Sequence, residues 1–442
     1  MSLPILAGAR GWPSVLLARA GEGELIDIAA AERGGAWSAY RKALSELTPD
    51  AVIRIVSESG LRGRGGGGYA TGSKWRDCAS QDETRRYVVA NGFEADPGAQ
   101  IDRVLMERDP HAIIEGVAIA AWAVRAESAT IAVAGSAVDA AERLRVAIDE
   151  AEERGYIGPN PSETGRPLQV EVRQLTGSFV LGEETVLLRA LENRRAQPDQ
   201  RPPYPSRVGL WGKPTVVNNV KTLAAVPWII SHGAGAYASL GTPDAPGSTL
   251  VQLAGAVRKP GIVEVPLGAT VREIIDGPGG FVQGALKAVL VGGPSGGFLP
   301  PDALDTPLTY EALRQAGALG GSGTLLVLDE SACIVDVATL LTRYLNDNAC
   351  GKTIPCRIGT RRMAELGGAF CTGHARPGDS ALLADLAADV RSAALCGLEA
   401  DASNPLLSGM RYFAPEFEAH IARGECPAGV CQPIQLAGAV PS

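Results

Sequence analysis

No stretch of the 442 residues offers the roughly 20 consecutive apolar residues that a membrane-spanning helix needs. Direct membrane insertion is therefore not expected. Positive charge is not in excess: 41 Lys and Arg face 49 Asp and Glu, for a net charge of −8, which argues against a nucleic-acid or anionic-membrane surface. Met1 to Leu17 carries Arg10 and two prolines and lacks the apolar core of a signal peptide, so a cytoplasmic protein is expected. Cysteine is almost missing from the first three-quarters of the chain, where only Cys78 occurs. The other seven, Cys333, Cys350, Cys356, Cys371, Cys396, Cys426 and Cys431, crowd into its last part. Disulfides are out of character for a cytosolic chain of this size, which leaves metal ligation as the reading of that cluster. Inert buried thiols are the bland alternative, and several of these cysteines stand beside Gly or Pro, which inert packing does not call for.

What is present is ordinary globular material, 45% hydrophobic and 20% charged, long enough for two or three domains. Patterning divides the chain into three blocks. Residues 1–240 alternate short apolar runs with helical stretches. A Pro-first, Gly-last helix lies between Pro49 and Gly60, strands at Tyr87–Ala90 and Ala129–Val133, and helices from Pro110 to Val124 and from Val138 to Arg154. This alternation predicts an α/β fold. Residues 241–330 hold short strands, one helix near Val271–Ile275 and many Gly/Pro turns, which suits a small β-grasp-like module. Residues 331–442 read as a helical bundle that carries the cysteines, with helices at Ile334–Tyr344, Cys356–Leu366, Ala381–Leu395 and Leu406–Ile421.

The most informative segment is Gly60-Leu-Arg-Gly-Arg-Gly-Gly-Gly-Gly-Tyr-Ala-Thr-Gly-Ser-Lys-Trp75. Glycine permits positive φ and leaves amide N–H groups unshielded, so such loops form nests for anions. A flexible linker is the alternative, disfavoured by the regular Arg62, Arg64, Lys74 and Trp75. The dinucleotide fingerprint is not met, because no acidic residue about 20 positions on closes a βαβ unit. Composition alone supports an anion-binding loop.

Three further stretches occur in order: Asn91-Gly-Phe-Glu-Ala-Asp-Pro-Gly98, Gly182-Glu-Glu-Thr185, and Arg201-Pro-Pro-Tyr-Pro205 running on to Trp211-Gly-Lys-Pro and Asn218-Asn219. Together with the glycine loop they resemble the FMN- and NADH-binding flavoprotein subunit of respiratory complex I and of related NAD-linked hydrogenases and formate dehydrogenases. The likeness runs from about Ala51 to Cys431. It implies an FMN-binding α/β domain, then the β-grasp-like domain, then a helical iron–sulfur domain. By match, Gly63, Arg64, Gly65 and Lys74 would face FMN, and Asn218, Asn219 and Thr222 would close on its phosphate and ribityl chain. Asn91 and Glu94 would line the isoalloxazine. Glu184 would meet the nicotinamide, with Gly182 and Glu183 beside it, and Tyr69 and Tyr204 would stack on the adenine. The plain alternative for Glu183 and Glu184 is a solvated helix start, where acids suit the helix dipole. The chain departs from the pattern at Asp77, where a third aromatic is expected, and at Phe93, where an aspartate is expected, with Asp96 as the following acid. These departures leave NADH against NADPH open.

The same resemblance implies a [4Fe–4S] cluster on C-G-x-C-x-P-C plus a later cysteine. The sequence reads Cys350-Gly-Lys-Thr-Ile-Pro-Cys356, with Cys396-Gly-Leu as the distant position. Thr353 stands where a thiolate belongs, and cubanes are ordinarily held by four thiolates. The fourth ligand would be Thr353 or Cys371, or else the cluster is three-iron or lost. A second set, Cys333, His420, Cys426 and Cys431, resembles the C-x-x-x-x-C tail of some hydrogenase and electron-bifurcating flavoproteins and would suit a structural zinc. The alternative is a helix-end histidine beside reduced thiols.

The expected activity is that of an NAD(P)H:acceptor oxidoreductase subunit. Hydride passes between NAD(H) and FMN, and single electrons go on to iron–sulfur centres of partners. A thioredoxin-like [2Fe–2S] subunit and a further catalytic or acceptor subunit are the expected partners. Such chemistry stacks two rings in register and needs no nucleophile motif. Bifurcation is the alternative within the class, although no extra ferredoxin-like C-x-x-C-x-x-C repeats are present. A scaffold with a decayed site, resting on Phe93, Asp77 and Thr353, is the alternative outside it.

Overall fold

The computed structural model describes residues 3–20 and 27–431. Strands Tyr87–Gly92, Ser128–Ala134, Gln169–Leu175 and Thr215–Asn219 form a wholly parallel sheet. Its spatial order is Gln169–Leu175, Ser128–Ala134, Tyr87–Gly92, Thr215–Asn219. Val88, Val89 and Ala90 are fully buried, as expected for a parallel strand covered on both faces. The chain steps outward from Tyr87–Gly92 through two strands and then returns to that strand's other side. Strand order therefore reverses between Tyr87–Gly92 and Thr215–Asn219, and a crevice opens at their carboxyl ends. Asn91 and Asn219 are register partners there.

Helix Pro110–Val124 is buried almost throughout, which fits a run apolar on every side. Asp109 caps it by accepting the Ala112 N–H at 3.1 Å, with Pro110 at the first helical position. It crosses helix Val220–His232 at Gly116, where a Cβ would stand 2.0 Å from the Leu223 carbonyl oxygen; only glycine allows that approach.

The second unit is a five-stranded mixed sheet in the order Gly297–Leu299, Leu286–Val291, Thr324–Asp329, Ser248–Gly255, Gly261–Pro266, with helix Val271–Asp276. The amino-terminal segment joins this unit: Ile5 bridges Ile262, and the buried Glu264 carboxylate accepts the N–H groups of Val15, Leu16 and Leu17. The third part is helical, and its core is continuous with Val217 of the parallel sheet, Leu187 of helix Glu184–Leu191 and Leu290 of the mixed sheet. The helix expected over Leu406–Ile421 is broken into Asn404–Tyr412, Ala414–Glu418 and a wider turn at Ala419–Arg423. Pro415 explains the break, since it lacks the N–H that a continuing helix would use. No helix among the described residues is long and apolar enough to cross a membrane.

Candidate functional site

The glycine loop lies beside the crevice and leads into helix Thr71–Ala79. It is tied at its neck by Gly63 N–H to Tyr69 O (2.8 Å) and Thr71 N–H to Leu61 O (2.9 Å). The backbone N–H groups of Gly65 to Gly68 make no well-formed hydrogen bond among the described residues, although the chain turns tightly over residues 64–67. One side of the loop is packed, because a Cβ on Gly65 would meet Asn219 Cβ at 3.1 Å and one on Gly68 the Tyr310 ring at 2.8 Å. The other side is open, with nothing within 4 Å of a Cβ on Gly67. Open glycine amides without a well-formed internal hydrogen bond make an anion cradle.

Arg64 does not add its charge to that cradle. Its guanidinium is 3% exposed and donates to Pro246 O (2.7 Å), Ser248 O (3.0 Å) and the hydroxyls of Tyr237 (3.1 Å) and Tyr310 (3.3 Å). Only its backbone serves the loop, where Arg64 N–H donates to Thr222 Oγ1 at 2.9 Å. Tyr310 in turn donates to Gly63 O at 2.7 Å, so the second unit braces the loop.

Lys74 reaches across the carboxyl ends of the strands. Its Nζ lies 2.9 Å from Glu184 Oε2 and 2.9 Å from Val217 O. The next residue, Trp75, donates to Asn218 Oδ1 at 2.9 Å. Glu184 opens helix Glu184–Leu191, and Glu183 caps that helix through the N–H groups of Thr185 (2.8 Å) and Val186 (2.9 Å). The two acids thus divide the work: Glu183 serves the helix dipole, while Glu184 pairs with Lys74 and, at 3.2 Å, with Arg201. Burial would raise the Glu184 carboxyl, but Lys74 and Arg201 outweigh it and hold the group below the usual glutamate value. It is a carboxylate at neutral pH. Asn91 Nδ2 donates to Gly182 O at 2.9 Å, which locks this loop to the central strand.

Asn219 and Glu94 face a helix-start network. Asn219 Oδ1 caps helix Val220–His232 through Lys221 N–H, and its Nδ2 donates to Asp102 Oδ2 at 2.6 Å. Glu94, at φ 42°, accepts the N–H groups of Asp102 (2.7 Å) and Arg103 (3.1 Å). Burial, with Asp102 close by, pushes it up to about 7. Lys221, fully buried, pairs with Asp102 at 2.8 Å. Lys221, Asp102 and Arg201 received no role from the sequence. The available signal was Lys221, two residues after Asn219, in a largely apolar helix. Tyr69 and Tyr204 are 61% and 52% exposed. Asp77 anchors the loop after Tyr204 by accepting Ser206 Oγ at 2.6 Å and Arg207 Nε at 3.1 Å. Phe93 is a core residue.

The cysteines separate into two groups. Cys350, Cys356 and Cys396 lie close enough to perturb one another: burial, with Glu183, Cys356 and Cys350 nearby, pushes Cys396 up to about 12. Burial, with Glu399 near, pushes Cys356 up to about 11. Thiols this reluctant to ionise become thiolates when a metal replaces the proton. Thr353 stands among them; its hydroxyl accepts Cys356 N–H at 3.1 Å and donates to Glu399 at 2.5 Å. These are three thiols where a cubane is ordinarily held by four, and the sequence position of the fourth carries the Thr353 hydroxyl. Cys371 does not belong here, which corrects its placement as a candidate fourth ligand. Its side chain lies with Asp336 and Cys431 and contacts Thr339 Oγ1 at 3.4 Å, because helix Arg361–Thr372 carries it to the other group.

That other group is Cys333, His420, Cys426 and Cys431, whose ligand atoms lie within 4.8 Å of one another. Cys333 Sγ is 3.5 Å from His420 Nε2 and 3.6 Å from Cys431 Sγ. His420 Nδ1 lies 2.9 Å from Glu416 O. A carbonyl only accepts, so Nδ1 carries the proton and Nε2 turns its lone pair to the thiols. Burial opposes ionisation of Cys426, yet hydrogen bonds from Cys431 and Val430 pull it down to about 6.

Comparison with known proteins agrees with this geometry. The Nuo51 FMN-binding domain family matches residues 56–228, the SLBB domain residues 250–299, and the NADH-ubiquinone oxidoreductase-F iron-sulfur binding region residues 336–420. The NADP-reducing hydrogenase subunit HndC of Solidesulfovibrio fructosivorans is 41% identical over 92% of this chain and 83% of its own length. An NADH-quinone oxidoreductase subunit of Rhizobium meliloti (strain 1021) is 39% identical over 90% of this chain and 94% of its own length. A crystal structure of an NAD+-reducing [NiFe]-hydrogenase in the air-oxidized state superposes with a TM-score of 0.81 at 31% identity, over 99% of this chain and 70% of that one. These relatives are subunits of multi-subunit complexes, so partner subunits are part of this protein's setting. The chain belongs to the family of NADH-dehydrogenase-type flavoprotein subunits, which exchange hydride between NAD(H) and FMN and pass electrons to iron–sulfur centres.

Proposed function

We propose that the crevice at the strand-order reversal is where FMN and NAD(H) meet, and that Lys74 and Glu184 are its working pair. The observation that carries this is the open glycine loop, whose four amides make no well-formed hydrogen bond among the described residues, beside an ionised Glu184 gripped by Lys74 and Arg201. Gly63, Gly65 and the freed amides would receive FMN, with Asn218, Asn219 and Thr222 on its phosphate and ribityl side and Asn91 on the ring side. FMN, when bound, supplies hydride acceptance and the change from paired to single electrons. The protein's part is positioning. Glu184, held as a carboxylate, accepts the N–H of the nicotinamide carboxamide. Tyr69 and Tyr204, with their faces exposed, suit stacking on adenine. The loop of Tyr204 is tethered by Asp77 through Ser206 and Arg207, so this departure from the family pattern has a structural use. A proton-transfer residue is not required for the hydride step.

Electrons would leave through the cysteine-rich helical part to a thioredoxin-like [2Fe–2S] subunit and onward to a further catalytic or acceptor subunit. Cys333, His420, Cys426 and Cys431 would bind zinc. Ligand atoms around tetrahedral zinc at about 2.0–2.3 Å lie roughly 3.3–3.8 Å apart, close to the 3.5 and 3.6 Å separations seen here.

The test is flavin extraction from anaerobically purified protein with spectra before and after NADH. Extracted FMN and a visible band that NADH bleaches are expected. Protein without flavin, or flavin indifferent to both NADH and NADPH, would refute the reading and favour a scaffold.

A further inference from the structure

Glu399 is 2% exposed. One of its carboxylate oxygens accepts the Thr353 hydroxyl (2.5 Å) and the other accepts Leu395 N–H (2.9 Å). Among the described residues no Lys, Arg or His forms an ion pair with it. Burying a carboxylate with two hydrogen bonds and no cation is costly. Its surroundings are three thiols. Its own N–H lies against the Cys396 sulfur, and its charge is felt by Cys356. Thr353, the residue between Cys350 and Cys356 where a fourth thiolate would be expected, is also the residue that orients this carboxylate. A site with three thiols and one buried carboxylate, where among the described residues no cation pairs with that carboxylate and only the charge of Arg357 reaches Cys356, is short of positive charge, which iron would supply.

We propose that Glu399, oriented by Thr353, is the oxygen ligand of the fourth iron of a cluster otherwise held by Cys350, Cys356 and Cys396. This rests on the iron–sulfur reading of the helical part. Thiolate is the softer ligand and the one cluster iron prefers, so the oxygen-held iron is the one that leaves first. When ferricyanide removes one electron and that iron departs as Fe2+, a [4Fe–4S]2+ cluster becomes [3Fe–4S]+. The site is thus built for a cluster with one exchangeable iron.

The experiment uses the full chain, purified anaerobically as wild type, Glu399→Gln and Thr353→Cys. Iron, sulfide and FMN are counted, and electron paramagnetic resonance spectra are recorded before and after stoichiometric ferricyanide. Wild type is expected to lose one iron of four and develop the three-iron signal. Glu399→Gln should show that signal before any oxidant. Thr353→Cys, with a fourth thiolate, should keep all its iron under the same treatment. Isotopically enriched iron returned to oxidised wild type should enter one site, with Mössbauer parameters of oxygen ligation. A wild-type cluster that resists ferricyanide, with unchanged spectra in Glu399→Gln, would overturn the assignment of Glu399 and leave the cluster standing. Absence of iron and sulfide from all three proteins, with FMN present, would overturn the iron–sulfur reading itself. If Glu399→Gln fails to fold, the contrast between wild type and Thr353→Cys still decides, since equal iron retention in those two refutes the proposal.

Discussion

The Lys74–Glu184 pair can be dissected by a double-mutant cycle read on flavin reduction. Glu184→Gln keeps the shape but removes the charge that would meet the nicotinamide carboxamide. A hydrogen bond to a charged group contributes about 1.5–3 kcal/mol, which is roughly a 10- to 150-fold loss in the second-order rate of reduction by NADH. Lys74→Met leaves Glu184 with Arg201 alone, at 3.2 Å. Both members of the pair are about one-fifth exposed, so the loss belongs at the lower end, about 1–2 kcal/mol. If Lys74 acts by holding Glu184 ionised and in place, the double variant should be no slower than Glu184→Gln alone. The coupling energy then equals nearly the whole Lys74 effect. The assay is anaerobic stopped-flow at limiting NADH, normalised to bound FMN so that a variant that has lost flavin is not misread as slow. Single effects that simply multiply in the double variant would refute the reasoning, because Lys74 would then act independently of Glu184.

Other expectations concern the supports of the site. Arg64→Met should strand the Pro246 and Ser248 carbonyls, at about 1–3 kcal/mol for each buried acceptor left unpaired, and thermal melting of the holoprotein should show a lower Tm with weakened FMN retention. Glu94, raised to about 7, binds its proton more tightly folded than unfolded. Its stabilising contribution is therefore full below the ordinary glutamate value and lost as pH rises through about 7. Relative to Glu94→Gln, wild type should lose melting temperature over that window. His420→Ala should abolish stoichiometric zinc in metal analysis while leaving FMN content intact. Gly116→Ala should destabilise by about 1–3 kcal/mol through overpacking, read as a lowered midpoint in urea.

Much of the architecture is local in origin and was legible for that reason. A glycine run needs no tertiary information to announce close anion approach, and alternating apolar runs and helical stretches announce parallel strands. The colinear motifs around Asn91, Glu184 and Asn218 come together at the carboxyl ends of the central strands, and the crowding of cysteines falls in the part that matches an iron-sulfur binding region. Chain path decided which side chain faces which partner. Arg64 sits in the anion loop by sequence, yet its guanidinium closes on carbonyls more than 180 residues away. Glu94 turns to the start of a helix eight residues on, because that helix presents unpaired amides at short range. Cys371 looked like a reserve ligand for one metal group and was carried by its helix to the other. Thr353 stands where a thiolate belongs and was itself a candidate fourth ligand, and folding brings Glu399 to it across 46 residues. Spacing and hydrogen-bonding propensity act over a few residues and are written in the sequence. Pairing of buried charges depends on where distant backbone segments meet, and that is settled only when the whole chain packs.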